Sequence, residues 1–520
     1  MSLISTSYMV LVLVACLLYY LVPMAYRWLV LLIANAIFYF SASQSLSIFL
    51  LISLVSIHIG AILLQRQSDY QKEHLKVIEK SEKKAFKNLI KKRKKMILMI
   101  ILAVNVGILL YLKYFNFFAG NINWIGTLLH LNINIPAKEI ILPLGISYYT
   151  LMAISYVVDV YRQKYKASSN IAKVALYLTF FPQMTEGPIS RFDQLADQLY
   201  NGNRFELRNI KCGIYLIIWG LFKKMVIADR AAMFVNGVFG EQFSGMTVFL
   251  AVVLYTVQIY AEFSGAMDIV RGTGYMFGIY MEQNFTQPFF AKSIAEFWRR
   301  WHRTLGTWLK DYVFYSVSLS EMNMNLNRSV KKHLPGHFGR FILSAFPLFF
   351  VWFFNGFWHG ASWKYISYGL YYYLIMMIGL LMQPWFTKVK EVLHIKDENI
   401  IYQLFAILRT TLVVLGGMLL FRSHSVADAW AMLCSIFTFA PLDASVGGLV
   451  GFDYGIIIAG LVMMLIVSIL KEKKKDLYYL FSEKHLWIRY GVLLVILLMI
   501  IVFGIYGEGY DASDFIYGAF

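Results

Sequence analysis

Phe357-Trp358-His359-Gly360-Ala361 lies between two apolar runs, 340–356 and 363–382, each long enough to cross a bilayer or nearly so. An ionisable side chain at such a junction is costly to keep near hydrocarbon, so it reads as a site rather than as packing. The same holds for His302, in Glu296-Phe297-Trp298-Arg299-Arg300-Trp301-His302. Working outward, further apolar runs fall near 7–24, 28–42, 46–64, 97–118, 139–158, 246–264, 402–420, 450–470 and 487–506. With one more crossing needed somewhere in 172–230, they predict an all-α, polytopic transmembrane chain of about 11–12 spans. No internal repeat and no soluble domain interrupts the pattern, so residues 1–520 read as one integral-membrane domain.

Composition agrees. Of the 520 residues 59% are hydrophobic and 15% charged, against roughly 25% charged in a soluble protein. The formal charge of +18 would suit a nucleic-acid partner, but the lysines sit in short loops between apolar runs. That is the positive-inside pattern of a multi-pass protein among membrane lipids, and no nucleic acid is expected. The basic stretch from Arg66 to Lys95 reads as a solvated cytoplasmic amphipathic helix. Arg162–Lys166, Lys292–Lys310 and Lys471–Lys475 fall on the same side, which leaves the chain's two ends outside. Leu13-Val14-Ala15-Cys16 resembles a lipoprotein cleavage box, but no basic residue precedes the apolar run, so 8–24 is expected to stay as the first helix. Cys16, Cys212 and Cys434 are scattered, without disulfide or zinc spacing.

Between 172 and 230 the apolar runs 174–184 and 213–222 are short, and Pro182, Gly187, Pro188, Lys223 and Lys224 interrupt them. Irregular backbone at membrane depth survives only when it is buried in protein or lines a cavity, so re-entrant or interfacial helices are expected here.

Trp298, Trp301, Leu305 and Trp308 recur at helical spacing, which predicts one helix over Glu296–Asp311 lying at the cytoplasmic interface. Arg299, Arg300 and Arg303 ring its other face. They either anchor the helix or meet the phosphates of a nucleotide-bearing acyl donor, since guanidinium suits bidentate phosphate contact. His359, with Gly356 and Gly360 beside it and Trp358 and Trp363 as expected walls, is placed to act as a general base on a hydroxyl. No metal-ligand spacing accompanies either histidine, and no metal is expected. Gln258, Ser264, Asp268 and Asp159 carry polar atoms at the ends of apolar runs, where a carboxylate either pairs structurally with arginine or backbone donors or acts in the chemistry.

These residues also form an ordered set: Leu142-Pro143-Leu144-Gly145-Ile146-Ser147, Phe181-Pro182-Gln183 with Gly187-Pro188-Ile189, Phe263-Ser264-Gly265 with Asp268, Glu296–His302, and Phe357–Gly360. In that order, over a motif core of about 139–370, the chain resembles the membrane-bound O-acyltransferases (MBOAT), most of all their bacterial polysaccharide-modifying branch. The resemblance implies many helices around a central cavity in a bacterial plasma (inner) membrane. It implies that His359 is catalytic and that His302 is a second, upstream histidine at the donor entry, with Trp298, Trp301 and the three arginines around the donor. The reaction implied is transfer of an acyl group, acetyl first, from a cytoplasmic thioester towards an extracellular or cell-wall polysaccharide. Acetyl-CoA is then the donor substrate, with no bound cofactor, and an extracellular SGNH-type (AlgX-like) acyltransferase is the expected partner.

Within the same branch, D-alanyl transfer to teichoic acid from a carrier protein is the rival. From another class, a transporter or flippase would share the broken helices and buried carboxylates. Ser316–Arg340 departs from the alginate-type pattern, being longer and basic with Lys331-Lys332-His333, which weighs against alginate as acceptor. The tail, Phe515-Ile516-Tyr517-Gly518-Ala519-Phe520, resembles the aromatic ending of this branch. Tyr517 either anchors that end at the interface or serves as a phenol that accepts and passes on the acyl group, with His359 as its base.

Overall fold

A computed structural model of the chain describes residues 2–334, 336–438, 440–475, 480 and 484–506; Tyr517 lies outside them. All regular structure among the described residues is helical. The residues gather into two compact units, one of 2–217 with 269–282, the other of 218–268 with 283–506.

In the first unit, α1 (Thr6–Leu21) starts where the Ser5 hydroxyl accepts the Tyr8 N–H at 3.2 Å. It is followed by α2 (Arg27–Ala42), α3 (Ser47–Val77) and α4 (Lys83–Leu128). The basic stretch is therefore no separate amphipathic helix: α3 and α4 run on through it, and only 78–82 turns the chain. At 1.5 Å per residue the 46 residues of α4 extend about 69 Å, more than twice the hydrocarbon thickness. The pair is locked by Asn105, which donates to Ser56 Oγ at 3.0 Å and accepts from Ser53.

α5 (Ile146–Tyr161) follows Gly145, whose φ of +69° and a Met184 carbonyl only 2.2 Å from where a Cβ would sit leave room for glycine alone. After α6 (Ile171–Thr179) the chain breaks through Phe180–Arg191 before α7 (Phe192–Tyr200). That break is buried, and side chains satisfy its backbone: Phe181 N–H donates to Asn35 Oδ1 at 2.9 Å, and the Tyr177 hydroxyl donates to the Ser190 carbonyl at 2.9 Å. The expected irregular segment thus exists and is held as hydrogen-bonding demands.

α8 (Leu207–Leu221) continues without interruption through a π-helical turn, Phe222–Ala228, into α9 (Asp229–Gly240). The run 213–222 is part of this longer helix, and Lys223 and Lys224 do not end it. The second unit continues with α10 (Met246–Met276, of which residues to 268 belong here), α11 (Ile294–Arg300), α12 (Arg303–Leu309), α13 (Tyr315–Ser318), α14 (Glu321–His333), α15 (His337–His359), α16 (Trp363–Leu381), α17 (Gln383–Val392), α18 (Ile400–Arg422), α19 (Val426–Ile436), α20 (Gly451–Glu472) and a helix at Leu486–Phe503.

Eight helices among the described residues are long and apolar enough to cross a membrane, or nine if α16 and α17, bent by 54°, form one broken span. This is fewer than the 11–12 expected. α1 and α5 reach only about 24 Å at 16 residues each, and the non-helical segment 131–143 occupies what reads in sequence as the start of α5.

Candidate functional site

The expected single helix over Glu296–Asp311 is broken at its centre. α11 stops at Arg300, Trp301 is extended, and His302 takes the left-handed conformation (φ 43°, ψ 50°) before α12 begins. For an L-residue other than glycine this costs about 1–2 kcal/mol, so something must hold it. Segment 284–286 does. Thr286 N–H donates to the Arg300 carbonyl at 3.0 Å, and Arg303 N–H donates to the Asn284 carbonyl at 3.0 Å. Asn284 Oδ1 then accepts both from Thr304 N–H (3.1 Å) and from the Thr304 hydroxyl (2.6 Å). The turn delivers His302 to the interior, 2% exposed.

His359 ends α15, where Gly360 lets the chain leave the helix. Its place is set by the crossing of α15 and α16. A Cβ on Gly356 would stand 2.2 Å from the Tyr365 carbonyl, and one on Gly369 2.2 Å from the Trp352 carbonyl. Gly356 and Gly369 therefore admit the close approach of the two helices. The ring is 2% exposed, against Trp358 (5.1 Å between centroids), Phe421 (5.2 Å) and Tyr368 (5.9 Å).

The two histidines, far apart in sequence, meet on Trp358, whose ring also lies 5.8 Å from that of His302. Phe263 closes the other side of His302 at 4.9 Å. His302 stands outside the eight spanning helices, and burial pulls its imidazole down to about 3, so it is neutral at physiological pH. Two imidazoles in an aromatic, water-poor enclosure suit proton transfer and hydrogen bonding rather than charge storage. Trp358 walls the site as expected, but Trp363 is 58% exposed and does not.

Trp301 is likewise not at an interface. It is buried in a cluster with Phe285, Phe297, Tyr260 and Phe289, stacked on Phe297 at 5.5 Å. Trp298 packs on Trp352 and Tyr372. The arginines divide. Arg299 and Arg303 are exposed, whereas Arg300 ties α11 to α20 through Glu472 (2.7 and 2.9 Å) and pairs with Glu296 at 2.8 Å.

Of the polar residues expected at depth, Gln258, Ser264 and Asp268 share α10 in the unit that holds both histidines, and Asp159 belongs to the other unit. Asp159 lies 3.7 Å from Lys164. Asp268 accepts from Lys223 at 2.7 Å, and Lys223 also donates to Ser264 at 2.9 Å. Lys224 bridges Asp229 (2.7 Å) and Glu262 (3.1 Å). Asp268, expected to find arginine or backbone donors, is thus paired with Lys223, one of two lysines that read in sequence as helix breakers. The unused signal was charge balance: two lysines in an apolar run require acids nearby, and α10 carries them. Asn284, Tyr368 and Phe421 gave no comparable signal. No group of three or more His, Cys, Asp or Glu among the described residues is arranged to hold a metal.

Residues 32–418 match the family described as MBOAT, membrane-bound O-acyltransferase. A protein of Azotobacter vinelandii named probable alginate O-acetylase is 30% identical over 435 residues, 82% of this chain and 76% of its own. The peptidoglycan O-acetyltransferase of Helicobacter pylori is 32% identical over 53% of this chain and 54% of its own. The teichoic acid D-alanyltransferase of Bacillus subtilis is 28% identical over 49% and 63%.

Proposed function

This chain belongs to the membrane-bound O-acyltransferase family and is a multi-pass membrane O-acyltransferase, and on that footing we propose that it moves acetyl from acetyl-CoA at the cytoplasmic face for O-acetylation of an extracellular or cell-wall polysaccharide. The observation that carries this reading is the meeting of His302 and His359 on Trp358, in an enclosure built of aromatic rings. His359 is the base. His302, neutral and held by its turn, positions the thioester, and the exposed Arg299 and Arg303 meet the donor's phosphates.

Tyr517 is the first acceptor. His359 takes the phenol's proton, the phenolate oxygen attacks the thioester carbonyl, the carbon–sulfur bond breaks, and the proton passes to the departing thiolate. A hydroxyl of the polymer then takes the acetyl group from the phenol with the help of an extracellular SGNH-type partner. Similar proteins are named for alginate and peptidoglycan O-acetylation, which supports a polysaccharide acceptor. D-Alanyl transfer from a carrier protein is the second reading, supported by the relative named for it.

The test is alkali-labile acetate on surface glycans of cells making wild type, His359→Ala or Tyr517→Phe at matched membrane levels. Acetate is lost in both variants if the scheme holds, by about 10²-fold or more for His359→Ala. Unchanged acetate with loss of D-alanine esters selects the second reading, and unchanged levels of both overturn the assignment of His359.

A further inference from the structure

The second unit contains a cavity of about 340 Å³ between α10, α18, α20 and the turn Pro288–Phe290. Val253, Val257 and Tyr260 of α10, Leu415 of α18, and Leu461 and Leu465 of α20 make most of its almost wholly apolar wall. Leu465 lines the cavity yet is 52% exposed, so the space opens on that side. There the outward faces of α18 and α20, with Leu412 and Val462 exposed, belong to two spanning helices and meet hydrocarbon. An apolar space open to the bilayer interior is filled by hydrocarbon, because water there would lack partners.

One end of this space is cationic. Arg409, two residues before the lining Thr411, donates to the Lys292 carbonyl at 2.9 Å, and Lys292 follows the lining Phe290 by two residues. Both side chains are exposed, and neither pairs with a carboxylate among the described residues. The carboxylates nearby, Glu296 and Glu472, are engaged with Arg300, which donates to the carbonyl of the lining Gln287 at 3.3 Å, and this end falls on the face that the lysine distribution assigns to the cytoplasm.

We propose that this cavity binds one acyl chain of an anionic phospholipid whose headgroup rests on Lys292 and Arg409. The charge of the rim selects the headgroup and the apolar depth selects the chain. The site is distinct from the histidine enclosure and does not depend on the proposed reaction. It lies beside the turn that carries His302: Tyr260 and Phe289 line the cavity and set their rings 5.9 and 6.4 Å from Trp301, the residue before His302.

The experiment uses the full chain, delipidated in a neutral detergent and titrated with dioleoyl phosphatidylglycerol, dioleoyl phosphatidylcholine or glycerol phosphate. Tm is followed, and retained lipid is counted by native mass spectrometry. Phosphatidylglycerol raises Tm and is retained, and phosphatidylcholine is weaker. Glycerol phosphate, which has the charge without the chain, does nothing. Lys292→Gln and Arg409→Gln each weaken phosphatidylglycerol about fivefold. Leu461→Trp fills the cavity and abolishes retention, and Leu415→Phe narrows the same space from another helix should the tryptophan variant fail to fold. Equal binding of the two lipids, an equal effect of glycerol phosphate, or unchanged retention in both cavity variants overturns the proposal.

Discussion

Lys223 and Asp268 form an ion pair at 2.7 Å with both side chains almost out of solvent, joining a π-helical turn to a spanning helix. Removing one partner leaves a buried charge, which typically costs about 3–5 kcal/mol, whereas replacing both with apolar groups of similar size is often neutral. Lys223→Met alone and Asp268→Leu alone are therefore expected to lower the Tm of the detergent-solubilised protein sharply. The double variant recovers most of it. If the single variants are as stable as wild type, the pair does not hold the fold.

The three arginines of α11 and α12 are predicted to behave differently. Arg300 is engaged with Glu472 and Glu296, so Arg300→Ala loosens the tie to α20 and lowers Tm with little change in KM for the proposed donor, acetyl-CoA. Arg299→Ala and Arg303→Ala leave Tm unchanged and raise KM about tenfold, the size of one lost charged hydrogen bond. Equal KM effects at all three positions would contradict this division.

Asn284 makes two bonds through its side-chain oxygen to Thr304, a third through its side-chain nitrogen to Met267 Sδ, and a fourth through its backbone to Arg303. Asn284→Ala removes the first three, a loss of about 1–3 kcal/mol with a buried donor left unmet. Transfer activity falls at matched membrane level because His302 is no longer pinned. Asn284→Asp keeps the accepting oxygen and retains more of the activity. A ranking with alanine at or above aspartate would remove Asn284 from the support of His302.

At position 302 the backbone and the side chain make opposite demands. Glycine accepts φ 43° at no steric cost, so His302→Gly relaxes the turn while leaving a ring-sized vacancy. Added imidazole is expected to restore part of the activity of His302→Gly. Because burial holds the His302 imidazole well below its usual range, no acid limb of the activity between pH 5 and 8 belongs to it. A limb in that range that disappears in His302→Gln would refute this.

Legibility followed the kind of information each feature uses. The long apolar runs and the histidine blocks depend on local composition, and α3, α4, α15 and α18 stand close to where the runs place them. The break at His302 was not legible, since a continuous aromatic period runs straight through it. What interrupts the helix is a hydrogen-bond clamp from Asn284, a residue earlier in the chain with no pattern of its own. Lys223 and Lys224 were misread for the complementary reason. A charge inside an apolar run reads as a boundary until its partner on another helix is known. The shared contact on Trp358 is a tertiary fact that no spacing encodes.

The lysine–carboxylate network also orders biogenesis. A single lysine at the centre of an inserting helix costs about 2.5–3.5 kcal/mol at the translocon, and the helix from Leu207 to Gly240 carries two side by side. Asp229, one partner of Lys224, lies on the same helix, but Glu262 and Asp268 are synthesised later, beyond the short connection 241–245. The earlier segment therefore gains little by partitioning into lipid alone. Entry of the two as a hairpin, with their charges already matched, is the lower-energy route.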